Sequence, residues 1–127
     1  MPEDTSAVVQ LSSEAALAAL LATHPAVLVY AHAPDCGVCH VLWPRLHAAL
    51  GNAYPRLTFA RIDAASSPGL AARLMVHAIP AVILYFEGRE HHRFAQAFGI
   101  NEIGAAIGRP YQLLFDNGPD DDQRAVE

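Results

Sequence analysis

Strand-like and helix-like segments alternate through the first part of this 127-residue sequence, and two strand-like runs follow one another near its end. That order, βαβαβαββα, predicts an α/β domain whose mixed central sheet of about five strands carries helices on both faces. Three observations point to it. "AVLVYAHA" (residues 26–33) is apolar almost throughout at strand length, as in a strand buried on both sides. The strand-helix alternation of the first half implies parallel pairing by right-handed crossover. A second apolar run, "AVILYF", meets a turn at Glu87-Gly88 and returns around Phe94, which is the pattern of an antiparallel hairpin.

Each element has its own signals. "SAVVQL" (residues 6–11) is a short β-branched strand, followed by Ser12 and Ser13 as N-cap candidates, Glu14 in a first turn and Leu17, Leu20 and Leu21 on a helix that Pro25 stops. After residues 26–33, Leu42, Leu46 and Leu50 recur every fourth position along one helical face. Gly51-Asn52 is the expected stop, and Pro44 inside this helix leaves the carbonyl of His40 without its donor. "RLTFARID" (residues 56–63) alternates Leu57, Phe59 and Arg61 against Thr58, Ala60 and Ile62, so a third strand is expected. Ser67-Pro68 supplies an N-cap and a first-turn proline for a short helix bearing Leu70 and Leu74. After the hairpin, Asn101 and Glu102 open a last helix with Ile103, Ala106 and Ile107 inward and with Gly108 and Pro110 as its stop. "YQLLF" (residues 111–115) is apolar and packs back in a form that the pattern does not define.

Composition bounds the function. A domain of this size buries roughly two-thirds of its unfolded surface, enough for a core without staples. With 53% hydrophobic residues and a net charge of −5, a disordered chain and a nucleic-acid binder are both excluded. Residues 1–115 read as one domain, and residues 116–127, rich in Asp, Gly and Pro, as an acidic disordered tail. "MPEDTSAVV" lacks the basic and apolar regions of a secretory signal, and no run of about 18 apolar residues suggests a membrane span, so a cytoplasmic, monomeric protein is expected.

The chemistry concentrates in "PDCGVCH" (residues 34–40), which holds both cysteines. So short a loop is a poor structural staple. Three chemistries fit: a redox pair, two ligands of a metal completed by His32, His40, His91 or His92, or haem attachment through C-x-x-C-H. No second pair has metal-ligand spacing. His91 and His92 lie in the hairpin strand, where neighbours are expected to face opposite ways. A packed α/β core would leave no haem cavity, so no metal and no cofactor are expected. Two inert thiols in a partner-binding scaffold form the remaining alternative.

Taken in register, these features resemble the thioredoxin superfamily over residues 7–107: the buried strand ending at Ala33, Cys36-Gly37-Val38-Cys39 opening a helix, Pro44 five residues on, Asp63 closing a strand, Ile79-Pro80 before the hairpin, Gly88 in its turn and Gly99 before the last helix. The resemblance implies a thioredoxin-like fold and thiol–disulfide exchange with protein disulfides, the pair being recycled by an unidentified reductant. It implies that Cys36 attacks and Cys39 resolves, and that Pro80 is cis and shapes, with Ile79, a groove for extended substrate. Cys36 would begin a helix, where free N–H groups favour a thiolate.

Four positions depart from the typical pattern. Tyr30 stands where a buried aspartate is expected, Phe59 where its lysine partner is expected, and Asp35 and His32 where tryptophans are expected. Asp35 opposes a Cys36 thiolate, whereas a protonated His32 or His40 favours it. Tyr30 and His32 are the candidates for proton transfer at Cys39. Trp43 and the other histidines are expected to pack or face solvent.

Overall fold

The computed structural model describes residues 7–116. Of the acidic tail expected over residues 116–127, Asp116 ends a helical turn and the rest lies outside the described residues. Five strands form one sheet in the order β1-β3-β2-β4-β5: β1 (Val8–Leu11), β2 (Ala26–His32), β3 (Thr58–Asp63), β4 (Ala81–Phe86) and β5 (Arg89–Ala95). β1 and β2 both pair with β3 in parallel, and β4 runs antiparallel to β2 and to β5, so the sheet is mixed as the sequence order requires. Helices α1 (Glu14–Thr23), α2 (Gly37–Ala53), α3 (Pro68–Arg73) and α4 (Ile100–Tyr111) complete the fold.

Alternation along the central strands builds two cores. Leu28 and Tyr30 of β2, Phe59 of β3 and Val82 and Leu84 of β4 face α2 and α4, where Leu46, Leu50, Ile103 and Ile107 meet them. Val27, Val29, Ala60, Ile62 and Ile83 face the other way, onto Leu17 and Leu20 of α1 and Leu70 of α3. β2 and β4 are buried on both faces, which is why their sequences are apolar without alternation.

Local chemistry sets most boundaries. Ser13 caps α1, its hydroxyl accepting the Ala16 N–H at 3.1 Å. Glu87 and Gly88 both have positive φ, 54° and 82°, as the tight hairpin turn requires. Ser67 occupies the N-cap position of α3, but its side chain makes no capping hydrogen bond.

Two helices run past their expected stops. α2 continues through Gly51-Asn52 to Ala53, and α4 continues through Gly108 and Pro110 into a π-helical turn, Gln112–Asp116, which is the form taken by the "YQLLF" segment. The cause is tertiary. The rings of Tyr54 and Tyr111 pack at 4.8 Å, the Tyr54 hydroxyl donates to Gly104 O at 3.0 Å, and the Tyr111 hydroxyl accepts the Arg56 N–H at 2.9 Å. These contacts hold both helix ends together and outweigh the local preference of glycine and proline.

β5 also departs from simple alternation. His92 pairs with Leu84 and Glu90 with Tyr85, which leaves His91 as the extra residue of a β-bulge. Its ring meets the edge of Phe86 while His92 stacks on Phe94 at 4.8 Å, and both phenylalanines belong to the α4-facing core. The two histidines therefore share a face, contrary to expectation, with ring centres 6.5 Å apart.

Candidate active site

The C-terminal end of β2 delivers the chain to the cysteine loop. Ala31 pairs with Ala81, so Ile79 and Pro80, just before β4, reach the same end of the sheet. The Ile79–Pro80 peptide is cis, as expected, and the Pro80 carbonyl accepts the Gln96 N–H at 2.8 Å. Ile79 and Cys36 both pack against the α4-facing core.

Cys36 and Cys39 form a disulfide with Cα atoms 5.3 Å apart. Cys36 occupies the N-cap of α2, and its sulfur accepts the Cys39 N–H at 3.2 Å. The two sulfurs differ sharply in access: Cys36 is half-buried, whereas Cys39 is 1% exposed. A sulfur over unpaired helix N–H groups, in reach of solvent, is suited to carry negative charge.

The loop before Cys36 is tied to the helix behind it. The Cys36 N–H donates to Ala33 O at 3.1 Å, and the His40 ring nitrogen Nε2 lies 2.8 Å from Pro34 O. A carbonyl only accepts, so Nε2 carries the proton of that bond. Residues 34 and 40 bracket both cysteines, and this bond closes the bracket. Asp35 is exposed at the turn between them.

Behind Cys39 lies a group of polar and aromatic side chains. The fully buried Tyr30 donates its hydroxyl to Cys39 O at 3.0 Å. Burial, opposed by the charge of Arg61, pushes the Tyr30 phenol from 10.0 up to about 12, so it remains a donor throughout the neutral range. His32, stacked on Tyr30, has both ring nitrogens buried without a hydrogen-bond partner. Burial, then the positive charge of Arg61, lowers its pKa below 6.5 against the opposing pull of Asp63. His32 is thus held neutral, not as the imidazolium that would favour a Cys36 thiolate.

Arg61 is the residue whose part in the site the pattern did not reveal. In the parallel register Phe59, which the resemblance sets at the family's lysine position, is the Cα partner of Leu28, and Arg61, two residues on, is the Cα partner of Tyr30. Its guanidinium lies 4.8 Å over the Trp43 ring, with Nε buried and unpartnered. The signal was the single interior cation of "RLTFARID", on the same strand face as Phe59. Trp43 packs as expected, 5.0 Å from both the Tyr30 and His47 rings. Among the described residues no group of three or more His, Cys, Asp or Glu could hold a metal ion, and His91 and His92 are each packed on a phenylalanine.

A half-buried sulfur on a helix N-terminus, disulfide-bonded to a buried one three residues on, with a cis-proline at the same end of the sheet, defines a thioredoxin-fold protein with the chemistry of dithiol/disulfide exchange. Comparison with known proteins agrees. The family model Thioredoxin matches residues 7–108, and this chain belongs to the thioredoxin family. The thioredoxin-like protein YdfQ of Bacillus subtilis is 28% identical over 90 residues, covering 71% of this chain and 80% of that protein. The thioredoxin of Chlamydia trachomatis is 39% identical over 67 residues, 53% of this chain and 65% of its own length. Among solved structures, oxidised mitochondrial thioredoxin 3 of Saccharomyces cerevisiae superimposes with a TM-score of 0.73 at 22% identity, covering 83% of this chain and 97% of that one. Thioredoxin of Fasciola hepatica does so with 0.70 at 27% identity, covering 80% and 97%. Family, fold and disulfide together support a thiol–disulfide oxidoreductase.

Proposed function

We propose that this protein exchanges its Cys36–Cys39 pair with protein disulfides, Cys36 attacking and Cys39 resolving. The observation that carries the reading is the asymmetry of the pair: the half-buried Cys36 caps α2, and the buried Cys39 stands one turn on. Attack by the Cys36 thiolate forms a mixed disulfide and releases a client thiolate, which takes a proton from solvent. Attack by Cys39 on Cys36 then breaks the mixed disulfide, releases the second client thiol and leaves the pair oxidised. A reductant, not yet identified, returns the pair to the dithiol.

Ile79 and Pro80 form the substrate-facing wall in this reading. Tyr30 steadies the first turn of α2 through Cys39 O, and the neutral His32, with unpartnered nitrogens, accepts the Cys39 proton. Asp35 and His40 tune the charge and position of Cys36. Clients are folded or unfolding proteins met by a monomer, in the reducing cytoplasm, where such a pair cycles instead of persisting as a staple. None of the helices among the described residues is long and apolar enough to cross a membrane, and a net charge of −5 disfavours nucleic acid.

The test is insulin-disulfide reduction driven by dithiothreitol. Wild type accelerates it and Cys36→Ala does not; acceleration by C36A equal to wild type would refute the assignment. For the proton path, His32→Ala should alter the pH–rate profile of exchange, and an unchanged profile would remove His32 from it.

A further inference from the structure

The disulfide borders a groove that the attack and resolution steps do not use. It measures about 1000 Å³ and opens between the start of α2 and the connection from β5 to α4, with Gly37 and Val38 at one end. Val38 and Val41 stand one turn apart on the same helix face and are each 62% exposed, in contrast to the buried Leu46 and Leu50 on the core face. Leu42, Phe98 and Ile100 continue the apolar lining. Exposed valines grouped beside a reactive sulfur mark a surface that a partner covers.

The same wall ends in a charge. Arg45 lies one turn beyond Val41 at the edge of the groove, exposed and without an ion-pair partner among the described residues. Glu102, also in the lining, is occupied in capping α4, its carboxylate accepting the Gly99 N–H at 2.8 Å. On a molecule of net charge −5, this leaves a local cation next to an apolar trough.

We propose that this groove binds the client polypeptide on one side of its disulfide cysteine and selects an apolar segment that ends in a carboxylate. Val38 and Val41 cover aliphatic side chains of the client, and Arg45 pairs with a client Asp or Glu in the two-pronged geometry that guanidinium and carboxylate share. Arg45 is about 12 Å along the helix from its first residue at 1.5 Å per residue. An extended client spans that distance in about three or four residues, so the acidic residue stands about three or four positions from the attacked cysteine. The inference rests on Cys36 as the attacking sulfur and adds which clients reach it.

The experiment uses two disulfide-linked peptides with leucines beside the cysteine, identical except for Glu or Lys four residues away. Their reduction rates by wild type, Arg45→Glu and Val41→Ser are each divided by the same variant's rate with hydroxyethyl disulfide. Wild type should favour the Glu peptide by about five- to tenfold, a preference that added salt diminishes. R45E should reverse the preference, and V41S should lower the normalised rates of both peptides severalfold. An unchanged Glu-to-Lys ratio in R45E, or normalised rates in V41S equal to wild type, would overturn the groove's role. Failure of wild type to reduce hydroxyethyl disulfide at all would instead overturn the exchange reading, and the groove's role with it.

Discussion

Removing one oxygen from Tyr30 gives a sharp test of how the helix start is held. In Tyr30→Phe the ring still fills the space between β2 and α2, but Cys39 O loses the donor that reaches it at 3.0 Å from a fully buried side chain. A neutral hydrogen bond contributes about 1 kcal/mol net, and a buried acceptor left unpaired raises the cost towards about 3 kcal/mol. The Cys39 carbonyl also faces the next turn of its own helix, so the lower part of that range applies, about 1 to 1.5 kcal/mol. For a domain of this size that is a fall in Tm of about 4 to 6 °C. Calorimetry of the oxidised protein near neutral pH measures it. The pH dependence supplies a second signature. Because the folded phenol is raised from 10.0 to about 12, Tyr30 contributes stability that is fully present below 10.0 and is lost as pH rises through about 12. The alkaline loss is therefore smaller in Y30F than in wild type. A Tm within about a degree of wild type, with an unaltered alkaline limb, would refute the bond and its place in the argument.

The remaining predictions concern neighbouring residues. His32 is held below its ordinary 6.5, so its titration leaves the fold fully stable above that value and lowers stability as pH falls through the lower folded value. His32→Phe, which removes two buried unpartnered nitrogens, should raise the urea midpoint and weaken the acid dependence; a lower midpoint at neutral pH would contradict this. His40→Ala should slow resolution of a Cys36–glutathione mixed disulfide by about two- to fivefold, as expected for one exposed hydrogen bond. H40Q, whose amide nitrogen can donate to Pro34 O in the same way, should restore it, and equal rates in all three proteins would remove the bracket from the account. Gly104→Ala should stabilise α4 by about 0.5 to 1 kcal/mol, because the added methyl would meet Leu50 at an ordinary 3.6 Å. A loss of stability in denaturant titration would show that α4 packs closer than described.

The features legible in the sequence are those with local causes. Continuous apolar runs mark β2 and β4 because both faces of those strands are buried, and Glu87-Gly88 marks the turn because its backbone needs positive φ. The cysteine motif and Pro80 are legible because their neighbours stand in register. What escaped has distant causes. Gly51 and Pro110 look like helix stops, and the contacts of Tyr54 and Tyr111 with each other, with Gly104 and with Arg56, which join distant parts of the chain, carry it past them. The bulge at His91 is a property of the pairing with β4 and has no signature in β5 alone. The pairing of Arg61 with Tyr30 depends on a parallel register between strands separated by a whole helix, which β3 taken alone does not carry. The groove beside the disulfide, lined by Val38, Val41 and Arg45 next to Leu42 of the leucine stripe, exists only because the fold brings the β5–α4 connection against the start of α2.

The central claim is that one sulfur attacks and the other resolves. Reduced Cys39→Ser, mixed with an excess of a disulfide peptide and examined by intact-mass spectrometry and peptide mapping, tests it most directly. A single persistent adduct on Cys36, with none in a Cys36→Ser protein treated in the same way, is the predicted result. No adduct in C39S, or equal adducts in the two variants, would contradict the account.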